Sequence, residues 1–148
     1  MNEPKIVEGL NDLLAKNYDS EKGFLSAADS TQNAMHAALF RGKASQRYDY
    51  GHQIKDILRE MEGEIDKGTS LAGDLHRAWF NFKHFVSFDK EEALLEEIER
   101  GEEACVDEYK EFLKNPELPH SIRRIITAQK NGVCRSLNKM SELEDAID

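Results

Sequence analysis

The 148-residue sequence predicts an all-α protein, a bundle of four long helices with a shorter fifth. Three observations predict it. Apolar residues recur at alternating steps of three and four over four long stretches, the spacing of a helix face turned toward a core. Charged residues make up 33% and hydrophobic ones 39%, with only 3 Pro, a composition that suits long amphipathic helices. Each stripe is also interrupted by a polar residue, and a polar group aimed into a helical core is costly unless it meets a partner. The length is close to that of one domain of about 150 residues, and residues 1–148 are read as a single domain.

The first helix is expected from about Lys5 to Ala28, with Leu10, Leu14, Asn17, Glu21, Phe24 and Ala28 on its seam. Asn17 and Glu21 are its polar members, and Gly23 either weakens it or permits a close helix approach. Ser30 or Thr31 is the expected N-cap of the second helix, which runs from about Gln32 to Met61. Its seam is Ala37, Phe40, Ala44, Arg47, Gly51, Ile54, Leu58 and Met61, with Arg47 as the intruder. A shorter helix follows from Ser70 to Val86, carrying Leu71, Leu75, Trp79, Phe82 and Val86 on one stripe. Asp89 with Glu92 forms a capping box that opens the third long helix, which ends at Asn115-Pro116. Leu95, Ile98, Cys105, Tyr109 and Phe112 form its seam, and Glu102 stands among them. Pro119 suits the first turn of the last helix, which runs to about Glu144. Its seam is Ile122, Ile126, Gln129, Val133, Leu137 and Met140, with Gln129 as the polar member.

The shorter helix carries topological information. About 16 residues at 1.5 Å each span about 24 Å, enough to return the chain along the bundle. The second and third long helices then run parallel, joined by one crossover, which is ferritin-like connectivity rather than up-down-up-down. Folding the last two helices about Pro116 sets Glu102 level with Lys130, beside Gln129. It also separates Cys105 from Cys134 beyond the Cα distance of roughly 7 Å that a disulfide tolerates, so both thiols are expected free. Folding the first pair about Ser30-Thr31 sets Arg47 level with Leu14 to Asn17, several residues short of Glu21.

The net charge of −9 argues against nucleic acid and anionic membrane surfaces, both of which need clustered Lys and Arg. Most of the excess lies between Asp89 and Glu111, read as a solvated face apart from Glu102. The start, MNEPKIVEGL, lacks the cationic and apolar regions of a secretion signal, and no apolar run approaches the roughly 20 residues of a membrane span. The expectation is a cytoplasmic protein. Cys105 and Cys134 form no metal motif.

Several segments together carry a resemblance: Gly23-Phe24 with Ala27-Ala28, Leu39-Phe40 with Ala44 and Arg47, Gly73-Asp74-Leu75-His76-Arg77-Ala78-Trp79, and Glu99-Arg100-Gly101-Glu102-Glu103. Over nearly its whole length the chain resembles a bacterial family of ferritin-like four-helix bundles catalogued as a domain of unknown function. The resemblance implies the ferritin-like fold and no established activity.

Di-metal members of the ferritin-like group place a Glu on each of two helices and a Glu-x-x-His pair on each of the other two, hard ligands for iron or manganese. Glu21 and Glu102 match the single carboxylates. The chelating pairs are replaced by Arg47-x-x-Tyr50 and Gln129-x-x-Gly132. Asp49-x-x-His52 has ligand spacing but points to water, about 200° round the helix from the seam. The favoured reading is a core polar network of Asn17, Glu21, Arg47, Glu102 and Gln129 in place of a metal site, in a non-catalytic protein without cofactor that acts by self-association or by binding another protein. The alternative is an iron or manganese protein with an unconventional site at Glu21 and Glu102. His76, Arg77 and Trp79 are a further surface site to consider, while His36, His84 and His120 read as surface residues. No nucleophile motif, phosphate loop or zinc spacing occurs.

Overall fold

The computed structural model describes residues 3–65 and 91–147. Four helices account for nearly all of them: α1 (Glu3–Ser30), α2 (Ala34–Glu60), α3 (Glu91–Leu113) and α4 (His120–Ile147). There is no strand among the described residues. The helix expected over 70–86, with His76, Arg77, Trp79 and the nearby His84, lies outside the described residues, as does the capping-box residue Asp89.

The apolar stripes fold inward, with two shifts from the expected seams. On α1, Ser20 and Gly23 are buried while Glu21 is half-buried at the flank. On α4, Ser136 is buried and Leu137 lies to one side. The expected seams step as a supercoil does, at 3.5 residues per turn, whereas a straight helix at 3.6 drifts by about 20° per heptad. Over two or three heptads that drift exchanges a seam position for its neighbour.

The helix ends also depart from expectation. Asn33, not Ser30 or Thr31, caps α2: its side-chain oxygen accepts from the backbone N–H groups of Met35 and His36 at 2.9 and 3.0 Å. Thr31 is engaged elsewhere, donating its hydroxyl to Glu91 at the start of α3. α2 closes with the Gly63 N–H on the Leu58 carbonyl and the Glu62 N–H on the Arg59 carbonyl, a Schellman closure. Glu62 takes the left-handed position there, with φ 55°. Pro119 precedes α4, its carbonyl accepting from the Arg123 N–H.

Successive helices α1 and α2 are antiparallel, as are α3 and α4, and α1 also packs along α3. Contacts fix the direction of α1 against α3: Asn17 meets Tyr109 and Ser20 meets Cys105, so one chain rises as the other falls. α2 and α3 lie across the bundle from each other. His36 reaches Glu91 and Arg47 reaches Glu102, both 55 residues apart, so these two helices run parallel. The end of α2 and the start of α3 therefore lie at opposite ends of the bundle.

The core has two apolar clusters. One gathers Ile6, Leu10, Leu14, Ile54, Leu58, Ile126 and Val133 with their neighbours. The other gathers Phe24, Ala27, Phe40, Leu94, Leu95, Ile98 and Met140. Arg47 and Glu102 lie where the two clusters meet, Arg47 between Ala44 and Ile54 on α2 and Glu102 between Ile98 and Cys105 on α3.

Candidate functional site

Arg47 on α2 and Glu102 on α3 face each other across the bundle and are both wholly buried. The pair is bidentate, with Nη1 on Oε1 at 2.6 Å and Nη2 on Oε2 at 2.7 Å. The planar guanidinium matches the carboxylate edge, the geometry that makes such pairs strong. The third guanidinium direction is also used: Nε donates to Gln46 Oε1 at 3.1 Å. The Phe24 ring of α1 lies with its centroid 5.3 Å from the Arg47 Cζ, adding a cation–π contact from the apolar side. Burial alone would discharge the guanidinium, but the Glu102 charge and its hydrogen bonds outweigh that and hold the proton more firmly than usual.

One turn along α3, Cys105 is buried beside Ser20, whose hydroxyl donates to the sulfur at 4.0 Å. Burial pushes its thiol up to about 11, so it stays protonated at neutral pH. Both Cys105 and Cys134 are free.

A second chain of hydrogen bonds lies one further turn along and touches all four helices. Asn17 Nδ2 on α1 donates to the Tyr109 hydroxyl on α3 at 2.9 Å. That hydroxyl donates to Gln129 Oε1 on α4 at 2.7 Å. Gln129 Nε2 then donates to Gln53 Oε1 at 2.7 Å and to the Tyr50 carbonyl at 3.2 Å on α2. Burial, with Cys105 as a lesser cause, raises the Tyr109 phenol far above its ordinary value, so it remains a neutral donor. Asn17 Nδ2 also reaches the Leu13 carbonyl, while its Oδ1 is buried without a partner.

The expected network thus divides in two. Arg47 and Glu102 meet; Asn17 and Gln129 meet through Tyr109 and do not touch the ion pair. Glu102 is not level with Gln129, because the connection 114–119 is wide. Arg123 reaches back to cap the Leu113 and Asn115 carbonyls at 2.9 and 2.6 Å, and Leu118 plugs the end, so α4 pairs further along than a turn at Pro116 implies. The Arg47 guanidinium packs on the Phe24 ring. Glu21 stands apart from the network, at the flank of α1. Burial raises its carboxyl, offset by Lys22, His52 and Lys55, and Arg47 is not among these influences. Asp49 and His52 are exposed.

Tyr109 reads from its spacing as an apolar seam residue, and its hydrogen bonding is the main feature that the stripe does not show. The signal was its spacing of seven from Glu102, on the same stripe. His36 is also not a surface residue. Its side chain is 13% exposed, its Nδ1 contacts Glu91, and its ring lies beside Phe40. His120 is exposed as expected.

A second group of carboxylates lies on the α3–α4 flank. Glu92, Glu96 and Glu144 bring oxygens within 4.8 Å of one another. Hydrogen bonding to Glu99 above all, then burial and Glu96, pushes Glu144 up to about 8. No described helix is long and apolar enough to cross a membrane.

The groups buried at the centre are thus a guanidinium, one carboxylate with both oxygens taken, a phenol and the amides of Asn17 and Gln129, with Gln46 and Gln53 toward the outside. No curated protein matches the chain in sequence. Residues 5–115 match a family described as a domain of unknown function, DUF2383. That match covers most of the chain, including Asn17, Arg47, Glu102 and Tyr109, and the protein belongs to this family.

Proposed function

We propose that this is a ferritin-like bundle in which a fixed cation, the Arg47 guanidinium, stands where related bundles hold a metal pair. On this reading the protein is non-catalytic and acts by self-association or by binding another protein. The observation that carries it is the fully buried, bidentate Arg47–Glu102 pair between two apolar clusters. The parallel course of α2 and α3 supports the ferritin-like assignment, since it demands one long crossover.

The residues present do not suit iron or manganese. Those ions need several hard anionic or imidazole ligands. Here Glu102 is committed to Arg47, Glu21 lies off the centre, and the positions a Glu-x-x-His pair would fill hold Arg47 with Tyr50 and Gln129 with Gly132. A divalent ion would also meet the guanidinium charge. The test is metal analysis by mass spectrometry, on untagged protein loaded with Fe(II) or Mn(II) under argon. The expected result is no metal above background. A bound metal pair that is lost in Glu102→Ala overturns the proposal in favour of a metal-handling protein. Oligomer mass and pull-downs then address the partner.

A further inference from the structure

The seam between α2 and α4 differs from the other helix contacts in its chemistry. α2 presents Lys43, Gln46, Tyr50 and Gln53 toward α4, a row spaced three and four apart. Gly132 on α4 lies opposite: a Cβ there would come 1.9 Å from the Tyr50 hydroxyl and 3.6 Å from Gln46 Nε2. The helices are antiparallel, so the stretch one to two turns beyond Gly132 on α4, with Arg135, Ser136 and Lys139, faces one turn before Gln46 on α2, at Lys43.

This stretch is rich in donors and poor in acceptors. The Gln46 oxygen is held by Arg47 Nε, which leaves its NH₂ turned toward α4. The Ser136 hydroxyl is buried and makes no hydrogen bond. Lys43 is half-buried. Its ammonium is destabilised by burial and then by Arg47, with Arg135 and Lys139 adding to the effect. The carboxylate that acts on it most is Glu102, whose oxygens are both bound to Arg47. Lys139 holds Glu142 only at 4.0 Å. Elsewhere Arg59, Arg100 and Lys114 each hold an acid one turn away at 2.6–3.1 Å. In a chain of net charge −9, this is a local concentration of positive charge.

We propose that the α2–α4 seam binds a phosphate group, with Lys43, Arg135 and Lys139 supplying the charge and Gln46 and Ser136 the neutral hydrogen bonds. A tetrahedral oxyanion has the acceptors that this seam lacks, and charge-assisted bonds from Arg and Lys are the strong ones. The site is independent of whether the bundle centre takes a metal.

The test is calorimetric and thermal-shift titration of the whole chain with inorganic phosphate and, separately, with phenyl phosphate, against chloride at equal ionic strength. The two ligands distinguish a free anion from a phosphomonoester. Saturable binding of either is expected, weakened about tenfold or more by Lys43→Met or Arg135→Gln, as the loss of a charge-assisted bond implies. Lys114→Met, at the far end of the bundle, should bind as the parent does. Ser136→Ala separates binding from folding: it should melt no lower without phosphate, since the buried hydroxyl has no partner, yet gain less from phosphate than the parent. Absence of saturable binding to both ligands overturns the proposal, and so does an equal loss of binding in Lys114→Met.

Discussion

A guanidinium at position 47 and a carboxylate at 102 complete each other, and neither is tolerable alone. Arg47→Met leaves Glu102 buried without a counter-charge, which costs about 3–5 kcal/mol. Arg47→Met with Glu102→Leu removes both charges and should recover most of that loss, because apolar replacements of a buried pair are often neutral or better. Urea unfolding of the two single variants and the double variant measures this, and a single variant as stable as the parent would refute it. Arg47, Glu102, Asn17 and Gln129 were legible in the sequence because a polar residue in an apolar stripe is a local anomaly. The pairing of Arg47 with Glu102 was legible too, as the opposite charges of one core, but the partners of Asn17 and Gln129 were not. Which residues meet across a bundle depends on axial level, which the 114–119 connection sets through Arg123 and Leu118. Tyr109 is not legible as a polar member because a phenol reads as apolar until its hydroxyl has a place to point. A supercoil spacing turns Glu21 inward, and a straight helix does not keep that spacing.

Among the elements, the helices themselves were readable and their ends were less so. Periodicity is repeated over many residues, whereas a cap depends on one side chain that has rivals for its hydrogen bond, as Thr31 has in Glu91. The C-terminus of α2 is a case with a measurable consequence. Glu62 adopts φ 55° at the position where Schellman closures favour glycine. An L-residue there costs about 1–2 kcal/mol, partly offset by the greater entropy glycine has when unfolded. Glu62→Gly should therefore raise stability by up to about 1 kcal/mol, a rise of about 2–4 °C in Tm for a chain of this size. A lower Tm in differential scanning calorimetry would show that the Glu62 side chain contributes more than its backbone costs.

For the whole molecule, the acidic excess has a titratable expression on the α3–α4 flank. Glu144 is raised to about 8 from an ordinary 4.5, chiefly through Glu99. A carboxyl whose folded value lies above its unfolded one contributes stability that is complete at acidic pH and lost as the pH rises through the folded value. Tm should thus fall between about pH 5 and pH 8, and Glu144→Gln should flatten that fall. Identical slopes in the parent and the variant would contradict the assignment. The division of the ion pair between two hairpins has a further consequence, one of timing. The α1–α2 hairpin carries the cation and the α3–α4 hairpin the anion, 55 residues later. At about 5–20 residues per second, the ribosome delivers Glu102 roughly 3–11 s after Arg47. For that interval the nascent first hairpin holds a charge it cannot bury, so it stays open, and the bundle closes only when its second half has been made.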